Sequence, residues 1–136
     1  MPKFTVAKTY EFEMAHKLDT CYAECCRQIH GHSYKLIVGV QSNRLNKDGM
    51  VLDFKQLDNI VNPILVSLDH SYHDINSWGC NPTAENMALH MLKVFSKYME
   101  DHGHIFKEGF DLNHYIKVEF VELWETSKCM VRVEEV

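Results

Sequence analysis

From Phe4 to His16 the chain alternates with a period of two. Phe4, Val6, Tyr10, Phe12, Met14 and His16 hold even positions, with Lys8 the one charged exception, while Thr5, Thr9, Glu11 and Glu13 hold odd ones. Successive side chains of a strand point to opposite faces, so the pattern predicts a strand with one buried face. After a polar loop over 19–28 the alternation returns in His30, His32, Tyr34, Leu36, Val38 and Val40. Residues 42–49 have turn composition.

The period then changes. Asp53 followed three residues later by Gln56 predicts a capping box, and Phe54, Leu57, Val61, Ile64, Leu65 and Leu68 form one helical face behind it. Pro63 is expected to kink or interrupt that helix, because its ring removes a backbone donor and crowds the preceding turn. Residues 71–81 read as loop. Thr83 predicts the N-cap of a second helix with Met87, Met91, Val94, Phe95 and Tyr98 as its apolar stripe, ending near Gly103. Two strands follow, one ending near Thr126 and one over 129–133. The order β-β-α-α-β-β predicts an α+β fold, a four-stranded antiparallel sheet with two helices on one face.

Composition narrows the function. At 136 residues and 46% apolar content, the chain suits one domain over 1–136 with a sizeable core. A net charge of -5, with lysines and arginines scattered singly, argues against a nucleic-acid partner. No apolar run approaches the roughly 20 residues of a membrane span, and the start Met1-Pro2-Lys3-Phe4 carries no apolar leader, so a cytoplasmic protein is expected. Disulfides are not expected in such a reducing compartment. That directs attention to metal binding or catalysis for the five cysteines, Cys21, Cys25, Cys26, Cys80 and Cys129.

The histidines carry the clearest chemistry. Any one of them alone reads as an ordinary core or surface residue. If the first two strands pair as a hairpin, however, the end of one meets the start of the other, and His16, His30 and His32 converge from apolar faces. Zinc favours nitrogen ligands, and three protein ligands with an open fourth position suit catalysis. The competing reading is a structural knuckle on Cys21 and Cys25. It conflicts with the single residue between His30 and His32, since finger-type histidine pairs usually have three to five residues between them.

Other residues are candidates beside this set. Cys26, four residues before His30, is a candidate base whose pKa a nearby cation would lower. Cys25 has no assigned role. Asp69-His70 reads as a pair in which the carboxylate fixes the imidazole tautomer for proton transfer. Glu125 shares a strand face with Val121 and Leu123, and either binds a ligand there through paired hydrogen bonds or is an edge or interface glutamate.

Taken together, Phe12-Glu13-Met14-Ala15-His16, Cys26 with His30-Gly31-His32, Gly49-Met50-Val51-Leu52-Asp53-Phe54, Leu68-Asp69-His70, Pro82-Thr83-Ala84-Glu85-Asn86 and Glu125-Thr126 resemble the 6-pyruvoyl-tetrahydropterin synthase superfamily over nearly the whole chain. The three residues between Cys26 and His30 resemble its 6-carboxy-tetrahydropterin synthase branch, which serves queuosine biosynthesis. The resemblance implies a tunnelling (T-) fold, trimeric barrels stacked as a homohexamer, and 7,8-dihydroneopterin triphosphate as substrate. It further implies zinc on His16, His30 and His32, Cys26 as thiolate base, Asp69 and His70 as a relay from a neighbouring subunit, Glu125 as the pterin anchor, and Thr83 as an aid to seating the pterin. Two departures stand out: His73 and Asp74 replace the family's usual leucine and asparagine after the Asp-His pair, and the loop carries Cys25 beside Cys26.

Overall fold

The computed structural model describes residues 2–107 and 113–135. β1 (Phe4–His16) and β2 (His30–Ser42) pair antiparallel along their full length, Phe4 opposite Ser42 and His16 opposite His30. A short 3₁₀ turn (Glu24–Arg27) lies in the loop between them. Then come α1 (Phe54–Leu68), β3 (Ser71–His73), α2 (Ile75–Trp78), α3 (Ala84–Asp101), α4 (Gly103–Phe106), β4 (Ile116–Trp124) and β5 (Met130–Glu134). The sheet order is β3-β1-β2-β4-β5.

The even face of the hairpin is buried as its alternation predicts. Phe12, Met14, Tyr34, Leu36 and Val38 are all buried and pack with Leu57, Ile60 and Val61 of α1 and Met87, Met91 and Phe95 of α3. Both halves of the capping box form at α1: the Asp53 carboxylate accepts from the helix N-terminus, and the Asp53 N–H donates to Gln56 Oε1 at 2.9 Å.

Four expectations need correction. The sheet has five strands rather than four, because β3 forms inside the predicted loop and pairs parallel to β1, His16 opposite His73. The same segment adds α2, capped by Asp74, whose Oδ1 accepts the Asn76 N–H at 2.9 Å. α1 runs unbroken through Pro63; Pro63 and Asn59 are both exposed, so water can satisfy the carbonyl that loses its donor. Phe54 and Val94, expected on the apolar stripes, are exposed at the margins of the buried faces.

β4 carries an irregularity. Gly39 pairs with Phe120, but the next β2 residue, Val40, pairs with Val118, leaving Glu119 as an extra residue. Phe120 covers Gly39 from the sheet's outer face, and the Arg132 guanidinium lies 3.7 Å from its ring centroid, tied to Glu122 at 2.6 Å. A Cβ on Gly39 would stand 2.0 Å from Phe120 Cε1. Gly39→Ala is therefore expected to cost about 1–3 kcal/mol by overpacking, read as a fall of several degrees in thermal midpoint. An unchanged midpoint would show that the ring moves aside freely.

Candidate metal centre and active site

The hairpin register places His16, His30 and His32 at one end of the sheet, Met14 opposite His32 and His16 opposite His30. His16 is 1% exposed, and one potential ligand atom from each of the three rings lies within 4.8 Å of the others. His16 Nδ1 faces Pro82 O at 2.7 Å, and His30 Nδ1 faces Gln28 O at 2.8 Å. A carbonyl only accepts, so each Nδ1 carries the hydrogen and each Nε2 is left as a bare lone pair. Those two Nε2 atoms stand 3.0 Å apart.

Two lone pairs at that distance repel unless a positive centre lies between them. A shared proton is a poor candidate: burial, then the neighbouring His30, pushes His16 below the ordinary imidazole value, against the opposing pull of the Pro82 carbonyl and Glu125. Burial also lowers His32, against Glu125. A metal ion fits the donor set, because ligands about 2.0–2.1 Å from a tetrahedral centre lie about 3.3 Å from one another. The three histidines can hold a metal ion.

Glu125 lies just beyond β4, its N–H continuing the ladder onto Cys129 O at 3.0 Å. Its Oε1 stands 3.7 Å from His16 Nε2 and 3.8 Å from His32 Nε2, so this carboxylate faces the cluster. The neighbouring carboxylates have other partners: Glu119 accepts from Thr5 Oγ1 at 2.8 Å, and Glu122 pairs with Arg132.

Cys26 sits in the 3₁₀ turn, its thiol beside those of Cys21 and Cys25. Burial first, then these two thiols, raises its pKa above the ordinary thiol value. The protein's own groups thus do not supply the lowering expected from a nearby cation.

Asp69 and His70 form the predicted pair, Asp69 Oδ1 to His70 Nδ1 at 3.0 Å. Asp69 also accepts the Glu13 N–H at 2.9 Å, which with His70 holds its carboxyl below the usual carboxylate range. His70 takes the left-handed backbone (φ 57) and donates its N–H to Glu13 O. Its side chain borders a depression over strand positions 13–15 and 31–33, on the sheet face opposite the buried one. His32 of the histidine cluster lines the same depression.

Thr83 caps α3, its Oγ1 accepting the Asn86 N–H at 3.1 Å. The preceding residue does more for the metal centre, since the Pro82 carbonyl orients His16. That contact, like the one from Gln28, has no sequence signature because any residue offers a carbonyl. Tyr34 could have been found by periodicity. It continues the face of His30 and His32, is buried, and places its hydroxyl 3.4 Å from His16 Nδ1. His73 packs against Trp78, and both its ring nitrogens are buried with no hydrogen-bond partner among the described residues.

The profile of the 6-pyruvoyl tetrahydropterin synthase family matches residues 5–136. The chain belongs to that family. Among its relatives, a 6-carboxy-5,6,7,8-tetrahydropterin synthase of Aquifex aeolicus is 27% identical, the alignment covering 98% of this chain and 99% of that protein. Another of the same name, from Synechocystis, is 36% identical over 70% of this chain and 74% of its own length. The structure of Caenorhabditis elegans 6-pyruvoyl tetrahydropterin synthase superposes with a TM-score of 0.75 at 20% identity, covering 100% of this chain and 98% of that one. This tetrahydropterin synthase family member has the T-fold, and its relatives support a tetrahydropterin synthase-like role. Among the described residues no helix is long and apolar enough to cross a membrane.

Proposed function

We propose that this chain is a zinc-dependent carbon–oxygen and carbon–carbon lyase of 7-deazaguanine (queuosine) biosynthesis. It converts 7,8-dihydroneopterin triphosphate to 6-carboxy-5,6,7,8-tetrahydropterin, releasing acetaldehyde and triphosphate. The observation that carries the reading is the pair of Nε2 lone pairs 3.0 Å apart, each fixed by a carbonyl on the far side of its ring. Zinc held by His16, His30 and His32 supplies a Lewis acid that polarises substrate oxygens and acidifies adjacent C–H bonds.

The chain's own groups do the rest. Cys26 accepts the proton from carbon. Asp69 fixes His70 with hydrogen on Nδ1, leaving Nε2 to exchange protons. The pair serves the site of a neighbouring subunit in a homohexamer built as a dimer of trimers. Glu125 accepts the pterin's ring N–H and exocyclic amine side by side, and Thr83 seats the ring from the start of α3.

The carboxy product is favoured over the pyruvoyl one by the names of the Aquifex and Synechocystis relatives and by the short spacing from Cys26 to His30. Incubation with dihydroneopterin triphosphate is expected to release triphosphate and acetaldehyde in equal amounts. Triphosphate without acetaldehyde would leave a 6-pyruvoyl-tetrahydropterin synthase.

A further inference from the structure

The loop between β1 and β2 carries three cysteines, Cys21, Cys25 and Cys26, and all are free thiols. Its backbone folds around one carbonyl. The Cys21 thiol donates to Ala23 O at 3.0 Å, and the Cys26 N–H donates to the same oxygen at 3.0 Å. Both residues are thereby drawn to one point, and the thiols of Cys21 and Cys25 lie near enough to Cys26 to raise its pKa. The Cys26 carbonyl also accepts the Leu18 N–H at 3.0 Å, which ties the turn back to the end of β1.

The two neighbours of Cys26 are not equivalent. Cys25 and Cys26 are consecutive in a 3₁₀ turn, where adjacent side chains diverge by about 120°, and a disulfide between them would need the backbone to distort. Cys21 comes from outside that turn and approaches across it.

We propose that Cys21 and Cys26 are a reversible thiol pair that closes to a disulfide when the protein meets a hydroperoxide. The Cys21 thiolate attacks a peroxide oxygen, the O–O bond breaks, and Cys21 becomes a sulfenic acid as water or an alcohol leaves. The Cys26 thiol then attacks the Cys21 sulfur, the S–O bond breaks, and a water departs with the second proton. Two thiols are oxidised and one hydroperoxide is reduced. In a reducing compartment the pair stays open and closes only under oxidant. The bond shields Cys26 from irreversible oxidation. Its effect on turnover rests on the role of Cys26 proposed above; formation of the bond does not.

The test treats zinc-loaded protein with stoichiometric hydrogen peroxide, alkylates the remaining thiols with iodoacetamide, and maps the peptides by mass. The expected product is a Cys21–Cys26 cross-link lighter by two hydrogen atoms, with Cys25, Cys80 and Cys129 alkylated. Dithiothreitol should restore all five alkylation sites. Acetaldehyde release should fall at least about tenfold and return with the reductant. Cys21→Ser should carry Cys26 on to sulfinic or sulfonic acid that dithiothreitol does not reverse, while Cys25→Ser should keep the cross-link. The proposal is overturned if Cys26 stays alkylatable under peroxide that oxidises the exposed Cys129, if Cys25 and not Cys21 is the partner, or if Cys21→Ser remains fully reversible. A cross-link that forms and leaves turnover unchanged would uphold the pair and overturn the base role of Cys26.

Discussion

Cys26→Ala is expected to keep stoichiometric zinc and lose about 10²–10⁴-fold in kcat, the range a positioned general base contributes. The two halves of that result come from different parts of the structure. The metal donors are held by the hairpin register and by the Pro82 and Gln28 carbonyls, none of which involves the Cys26 side chain. Thiol chemistry, by contrast, depends on a group that burial and two neighbouring thiols keep protonated, so the proposed zinc must supply the charge that makes it a base. Steady-state kinetics with metal analysis on the same sample reads both. Undiminished turnover would remove Cys26 from the mechanism; wild-type protein that binds zinc and pterin without turnover would be a non-catalytic member of the family.

The second large effect belongs to the metal. His30→Ala should weaken zinc binding by more than about 100-fold, the upper end of what disturbing even an outer-shell partner costs, and turnover should fall with it. Thermal unfolding adds a readout independent of activity. Zinc at a hundredfold excess over its dissociation constant stabilises the wild-type fold by about 2.7 kcal/mol, or several degrees, and that increment should vanish in the variant. Without metal the substitution should be mild, because it removes one of two lone pairs that face each other at 3.0 Å. Retention of stoichiometric zinc by His30→Ala would refute the ligand set.

Much of this was legible in the residues. Period-two alternation gave both long strands and placed His16, His30 and His32 on one face, and hairpin pairing then required them to meet. Capping chemistry gave the starts of α1 and α3. β3 escaped notice because three residues are too few to show a period and its hydrogen bonds come from a strand distant in sequence. Pro63 misled because its cost depends on whether the orphaned carbonyl faces solvent, which only the packed helix decides. The carbonyls that orient the histidines were invisible in principle, since the backbone is common to every residue.

The extra residue at Glu119 acts as a change of phase. Before it, even-numbered residues of β4, Ile116 and Val118, face the core; after it, odd-numbered ones, Val121 and Leu123, do so. Glu125 inherits the new phase and so points its carboxylate at the histidines. Had the ladder kept step, Trp124 would face inward and Glu125 outward. An apparent defect in the middle of the sheet thus sets which residue the far end of the strand presents to the three histidines.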